Sequence, residues 1–133
     1  MKYLILFVIL SLNIPGYSQQ DDKITTIDFV QITNQNKAEA MYYFQNNWKV
    51  LREMAISKGW IHSFQMLETP YSEDAPFHLL LITTYENDEQ YELREAHFRE
   101  LIKTTGELRL MNEKKPSEFR KIVFSKEMIR HWN

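Results

Sequence analysis

The chain has 133 residues, of which 44% are hydrophobic and 26% are charged, and its formal net charge is −2. This near-neutral balance, without a basic cluster, argues against binding to nucleic acid or to an anionic membrane surface. The absence of cysteine excludes disulfide bonds and a thiol nucleophile, and the length suits a single domain.

The N-terminal residues have the layout of a secretory signal peptide. A lysine precedes an apolar run from Tyr3 to Leu12, and small residues suit cleavage after Ser18. A membrane span needs about 20 apolar residues and this run is shorter, although an uncleaved N-terminal anchor is the alternative. We therefore expect residues 1–18 to be removed. Residues 19–133 then form one exported domain, periplasmic or extracellular, without stable membrane insertion.

The exported part opens with a predicted strand and a predicted helix. Residues 24–33 are rich in β-branched and aromatic side chains, with apolar groups on both parities, which is typical of a strand buried on both faces. Asn36 followed by Glu39 fits a capping box at the start of a helix, and Gly59 suits its end. An apolar stripe at helical spacing runs along this helix and consists of Met41, Phe44, Trp48, Leu51 and Ala55.

The middle of the chain predicts a hairpin and a second helix. Residues 60–67 alternate as a strand, and after a polar connection residues 77–85 form a third strand that is apolar on both parities. Asn87 and Gln90 form a second capping signature, for a helix that ends before Gly106. We expect the buried side of this helix to carry Tyr91, Phe98, Leu101 and Ile102.

The C-terminal part predicts one more strand, residues 118–124, after an ambiguous segment, 107–117, that could hold a short extra helical turn. The tail, residues 125–133, shows no clear pattern. The resulting order, β-α-β-β-α-β, is that of an α+β ferredoxin-like plait: a four-stranded antiparallel sheet with both helices on one face. Because the strands are apolar on both parities, a monomer would leave an apolar sheet face in water. We therefore expect a homodimer in which two copies stack sheet to sheet.

Residues 82–101, ITTYENDEQYELREAHFREL, combine a strand that ends in Tyr85, an acidic turn that begins at Glu86, and a helix that carries the pair His97 and Phe98. This passage resembles the dimeric α/β barrels, a group that includes antibiotic-biosynthesis monooxygenases, stress-responsive barrel proteins and NIPSNAP-like proteins. The resemblance implies that two ferredoxin-like protomers join their sheets into an α/β barrel, often with a ligand cavity in each half. The asparagine and tryptophan positions that cofactor-independent monooxygenases use have no match in this chain.

Six side chains are candidates for chemistry or for ligand contact. His62, His97 and Tyr85 could act as acid/base groups if they face a barrel cavity. A packing role with a backbone hydrogen bond is the alternative for His62, and a surface pair with Glu100 is the alternative for His97. The candidates for ligand contact are Trp60, Phe64 and His78.

The register of the predicted hairpin decides whether His62 and His78 share a face. They share it if Gln65 lies opposite Leu79, and a one-residue slip separates them. No two histidines have i, i+3 or i, i+4 spacing, so the sequence predicts no metal site and no cofactor.

Three functions are compatible with this pattern. The first is an exported homodimer that binds a small apolar or aromatic ligand in the barrel, because the sheet has two apolar faces and no catalytic set is assembled. The second is an enzyme of the cofactor-independent monooxygenase-like or isomerase-like type. The third is a structural dimer whose aromatic residues fill the barrel.

Overall fold

A four-stranded sheet organises the chain. The computed structural model describes residues 19–133, and the predicted signal peptide, residues 1–18, lies outside them. The strands are β1 (Gln20–Ile32), β2 (Ser63–Glu68), β3 (Leu79–Tyr85) and β4 (Arg120–Trp132). They form one antiparallel sheet in the order β2-β3-β1-β4. The predicted α+β class and the predicted four-stranded antiparallel sheet are therefore confirmed.

One continuous helical run connects β1 to β2. It consists of α1 (Lys37–Tyr43), a π-helical turn (Phe44–Trp48) and α2 (Lys49–Ser57). A π-helical turn departs from the hydrogen-bond pattern of the α-helix. Here the side-chain amides of Asn46 and Asn47 donate to backbone carbonyls one turn earlier, at 2.8 and 2.9 Å. The predicted first helix is confirmed, and these two asparagines stabilise its irregular turn.

Three shorter helices follow the hairpin. α3 (Asp88–Glu92) and α4 (Arg94–Thr105) come after β3, and α5 (Pro116–Phe119) leads directly into β4. Asn87 caps α3 as predicted, because its side-chain oxygen accepts a hydrogen bond from the amide of Gln90 at 3.0 Å. The β-α-β-β-α-β order is confirmed, together with a short extra helical turn before the last strand.

The first predicted capping box is wrong in its bonding. Asn36 precedes α1, yet its side chain makes no capping hydrogen bond. Its amide nitrogen donates to the carbonyl of Glu118 at 3.1 Å, and its amide oxygen accepts from Lys114 at 2.7 Å. Glu39 accepts from the same lysine at 3.1 Å. Partners distant in the chain therefore replace the cap, and they attach the start of α1 to the segment before β4.

Two apolar clusters fill the space between the sheet and the helices. The first includes Val30, Leu79 and Phe119, and the second includes Ile24 and Leu101, all of them buried. The members from β1 and β3 lie at alternate positions along each strand, so they share one face of the sheet. The core of the domain lies on that side, which we call the helix face.

The predicted helix stripes are confirmed at most positions. Phe44, Trp48 and Ala55 of the first helical run are buried in the two clusters. Ile102 is 52% exposed, so its predicted place on the buried side of the second helix is wrong. α3 and α4 meet at Leu93 as separate helices. Within α4, Leu101 is buried in the second cluster, and Ile102, one residue further and about 100° around the helix, faces outward.

The hairpin has a register that separates two histidines. Gln65 lies opposite Ile82 rather than opposite Leu79. β2 begins at Ser63, later than the predicted strand of residues 60–67, so His62 precedes the strand. When the register is extended to both positions, His62 falls in line with the helix face and His78 with the opposite face.

β4 continues to Trp132, past its predicted end at residue 124. The sequence does not predict this continuation, because bulges interrupt the alternation of the strand. Thr25 pairs with Ile129 in β4. Ile27, two residues further along β1, pairs with Lys126, three residues back along β4. The extra residue falls where Met128 has a left-handed φ of 56°. An extra residue reverses the face on which the following side chains lie, so the tail showed no regular period although most of it is strand.

Candidate functional site

The structure separates the side chains that the sequence suggested for acid/base chemistry. His62 lies exposed at one end of the sheet, where its Nδ1 is 2.7 Å from Glu86 Oε2. His97 lies on α4 with its ring stacked on Trp60, 4.0 Å between centroids. Within residues 19–133, no hydrogen bond or ring contact joins either histidine to Tyr85. The three residues do not form a common site.

Two of the three suggested ligand contacts pack on the helix face. Phe64 meets the ring of Trp48 edge-on, with centroids 5.6 Å apart. Trp60 packs against the second apolar cluster, and the ammonium group of Lys58 lies 4.9 Å from its ring. Both aromatic rings therefore contribute to the apolar core on the helix face.

His78, the third suggested contact, lines an open groove of about 530 Å³ at the start of β3. Its Nδ1 accepts a hydrogen bond from the amide of Ile32 at 2.9 Å, and this contact attaches the ring to the end of β1. Tyr71 stacks on the ring at 5.2 Å, and an exposed ion pair between Lys37 and Glu68 borders the groove. The groove combines the aromatic surface of Tyr71 and His78 with the charged side chains of Lys37 and Glu68.

The face of the sheet opposite the helix face carries apolar side chains. Leu67 lies opposite Leu80, and Phe29 lies opposite Phe124. Leu67 and Phe124 are 45% and 41% exposed. The rings of Phe29 and Phe124 stack at 4.3 Å, and Phe77 meets Phe29 edge-on at 4.9 Å. We call this side the open face, because the two clusters that contain the helix residues lie on the other side.

A chain of three polar side chains crosses three adjacent strands on the open face. Thr84 Oγ1 is 2.7 Å from Thr25 Oγ1, which in turn is 2.7 Å from His131 Nε2. Both threonines are buried. The bulge at Met128 brings His131 to the same face as Thr25. No local pattern in the sequence marks the strand that carries His131, so the sequence alone does not indicate this residue.

A shielded arginine lies between the two apolar clusters on the helix face. The guanidinium of Arg52, on α2, is 4.6 Å from the ring of Trp48 and 4.3 Å from the ring of Phe98. Its Nε donates to Thr83 Oγ1 at 3.3 Å. Removal from water lowers the pKa of Arg52 to about 10. No motif in the sequence distinguishes this arginine from the other helix arginines.

Tyr85 lies near this arginine and is 3% exposed. Burial raises the pKa of its phenol, and the nearby charges of Arg52 and Arg94 oppose that shift. The phenol is therefore protonated at neutral pH and can act as a hydrogen-bond donor. Of the three residues suggested for chemistry, Tyr85 alone lies in the interior beside an arginine.

Comparisons of the chain with protein-family models, with curated proteins and with solved structures found no match. Within residues 19–133, no group of three His, Asp or Glu side chains could hold a metal ion. No helix in that part of the chain is long and apolar enough to cross a membrane. Inferences about function therefore depend on the geometry of the two sheet faces.

Proposed function

We propose that the chain is an exported homodimeric protein that binds a small apolar or aromatic ligand between two stacked sheets. The observation that carries the proposal is the open face, where Phe29, Leu80 and Ile82 lie on the same side of the sheet as the polar chain of Thr25, Thr84 and His131. Gln65 and Lys126 add further polar groups to that face. Ligand sites in proteins are mostly apolar and contain a few placed polar groups that orient the ligand. The open face offers both kinds of side chain.

The size of the open face supports a second copy of the chain as its cover. The strands have 13, 6, 7 and 13 residues. At a rise of about 3.3 Å and a spacing of about 4.8 Å, they span a plane of about 600 Å². A stable interface buries about 800 Å² of accessible surface on each partner, and side chains that project from the plane add to its area. A symmetric dimer needs only this one surface.

The element order and the strand order support a ferredoxin-like plait that pairs into an α/β barrel. In such a dimer the two open faces oppose each other across the barrel. His131 and the two threonines then lie at the enclosed space, where they can bind a polar group of an otherwise apolar ligand. The proposed localisation outside the cytoplasm depends on the signal-peptide pattern of residues 1–18.

Sedimentation equilibrium of the full chain tests the dimer. Ile82 lies on the open face between Ile27 and Gln65 in the pairing, and we expect Ile82→Glu to convert a dimer into a monomer. Ile102→Glu is the matched control, because Ile102 is exposed on α4, and it should leave the dimer intact. A wild-type monomer at micromolar concentration, or a dimer that survives Ile82→Glu, contradicts the proposal.

Native mass spectrometry of the protein purified from its own host tests whether a ligand is bound and whether the signal peptide is cleaved. We expect the mass of a dimer with an additional small-molecule mass, and chains that begin at Gln19. A dimer without bound small molecules supports the structural dimer with a filled barrel instead. Chains that retain residues 1–18 contradict cleavage of the signal peptide.

An enzyme of the isomerase-like or cofactor-independent monooxygenase-like type is the second candidate, and the contact of His131 with Thr25 favours it. An imidazole nitrogen 2.7 Å from a hydroxyl oxygen can exchange a proton with that hydroxyl or with a bound ligand. Turnover of the identified ligand should then fall about 100-fold in His131→Asn. Absence of turnover in the wild type supports the binding function.

A further inference from the structure

On the helix face, a buried hydrogen-bond donor that lacks an acceptor lies beside a half-buried guanidinium. The indole Nε1–H of Trp48 is buried and has no hydrogen-bond partner among the described residues. The guanidinium of Arg52 contacts the same ring and forms one hydrogen bond within residues 19–133, from Nε to Thr83. Native proteins rarely leave buried donors unpaired, so this pair of side chains marks a place for a missing acceptor.

The charge of Arg52 also lacks a close partner. In the described part of the chain, no carboxylate oxygen lies within 4.0 Å of its guanidinium. Asp28 acts on Arg52 only from a longer distance, and its Oδ1 is engaged by Ser125 Oγ at 2.5 Å. A shielded charge without a counter-ion destabilises a protein. A negatively charged ligand would relieve that cost.

The surroundings favour a carboxylate with one negative charge. The guanidinium lies with its carbon 4.6 Å from the centroid of the Trp48 ring and 4.3 Å from that of the Phe98 ring. Its free N–H groups lie in its own plane, where they match the two oxygens of a carboxylate. The negative charge of Asp28 disfavours a dianion such as phosphate, and the aromatic rings suit an aromatic or apolar body. Arg52 is half-buried, so part of the side chain remains accessible.

We infer that Arg52 and Trp48 bind a small aromatic or apolar monocarboxylate on the helix face. The guanidinium donates two hydrogen bonds to the carboxylate, and the indole Nε1–H donates a third. This site lies on the side of the sheet opposite to the open face. It is therefore independent of the proposed dimer and of the ligand proposed to lie between the sheets.

Thermal unfolding of the full chain in benzoate tests the inference. The references are sodium chloride at equal ionic strength and benzamide, a neutral ligand of the same shape. Benzoate at ten times its Kd should raise the wild-type Tm by about 5 °C, because it binds the folded state, and neither reference should. Phosphate should raise the Tm less than benzoate does, and a larger effect of phosphate overturns the assignment to a carboxylate.

Three variants locate the binding. Arg52→Met should abolish the rise in Tm with benzoate. Trp48→Phe keeps an aromatic ring but removes the donor, so benzoate should bind about tenfold more weakly. Arg99→Met is the matched control, since Arg99 is exposed on α4, and it should keep the full rise. A wild type that does not respond to benzoate, or an unchanged response in Arg52→Met, overturns the inference.

Two further readouts separate binding from a packing role of Arg52. Without benzoate, Arg52→Met should have a Tm at least equal to that of the wild type, because an apolar side chain replaces an unpaired shielded charge; a clear drop in Tm overturns the inference. The ¹H–¹⁵N resonance of the Trp48 indole in the wild type is a test that needs no variant to fold. It should shift with benzoate and not with benzamide, and a resonance insensitive to benzoate overturns the inference.

Discussion

The helix face and the open face carry similar apolar side chains in different surroundings. Leu79 on β3 is fully buried beneath the helices, whereas its neighbour Leu80, on the open face, is partly exposed. The polar groups differ as well. Arg52 interrupts the helix face with one hydrogen bond, while Thr25 on the open face bonds to two polar neighbours. A strand with apolar residues on both faces needs a packing layer on each face, and within residues 19–133 the helices cover one of the two.

The largest expected effect concerns the two neighbouring leucines of β3. Leu79→Ala should lower the free energy of unfolding by about 3 kcal/mol, because it leaves a cavity in the core. Leu80→Ala should lower it by about 1 kcal/mol at concentrations where the chain is monomeric, since this side chain is already partly in water. Urea unfolding followed by circular dichroism measures both. Equal losses would mean that both faces are covered within one protomer.

Thr83 and Thr84 extend the comparison to polar groups on the two faces. Thr83→Val removes the acceptor for Arg52 and should cost about 2 kcal/mol, because a shielded N–H is left unpaired. Thr84→Val should cost about 1 kcal/mol, since Thr25 keeps its bond to His131. The control is Thr104→Val, at an exposed position of α4. The same urea experiment should show almost no change in the free energy of unfolding for this variant. A greater loss of stability for Thr84→Val than for Thr83→Val would contradict the expectation that an unpaired polar group costs more on the helix face.

Stability measured at low pH tests the attachment of α1 to the segment before β4. Hydrogen bonds from its own backbone amide, from Lys114 and from Asn112 hold the pKa of Glu39 below its usual value of 4.5. A carboxyl with a lower pKa in the folded state stabilises above its unfolded pKa, and this contribution disappears as the pH falls through the folded pKa.

Glu39→Gln should therefore lose less stability than the wild type between about pH 5 and pH 3. The effect should be smaller than those of the core variants, because solvent screens charge interactions near the surface. Tm measured against pH gives the comparison, with Glu113→Gln, an exposed neighbour, as the control. Parallel curves for Glu39→Gln and the wild type would exclude a role of this carboxylate in acid stability.

Substitutions at the bulge that brings His131 to the open face should change the free energy of unfolding by at most about 1 kcal/mol. Met128 is 43% exposed and has a φ of 56°, a region that glycine adopts without steric cost. Met128→Gly should raise the free energy of unfolding by about 0.5 kcal/mol, and Met128→Val should lower it by about 1 kcal/mol. Urea unfolding measures both. A less stable glycine variant would show that packing of the methionine outweighs its backbone strain.

Predictions from local patterns held where the partners are close in the sequence. Asn87 caps its helix through an amide three residues away, and the stripe through Phe44 and Trp48 depends on spacings within one helix. The capping box at Asn36 failed because its side chain bonds to Lys114 and Glu118, far along the chain. A short pattern cannot show that a distant partner competes for the same atoms.

The candidate sites were harder to predict than the elements. The sequence suggests Tyr85 as an acid/base candidate, and the structure places this side chain in the interior near Arg52. His131 was not recognised, because the bulge at Met128 removes the alternation that would mark its strand. Arg52 resembles any other helix arginine in the sequence, and only packing against Trp48 and Phe98 makes it unusual.

The sequence by itself determined the α+β class, the order of the elements and the apolar character of both sheet faces, because these follow from periodicities within single segments. The tertiary structure alone decided the hairpin register, the bulges of β4, the contact of His131 with Thr25 and the shielding of Arg52. Each of these depends on strands and helices that meet from distant parts of the chain. One inserted residue or a shift of register changes the side of the sheet on which a side chain lies.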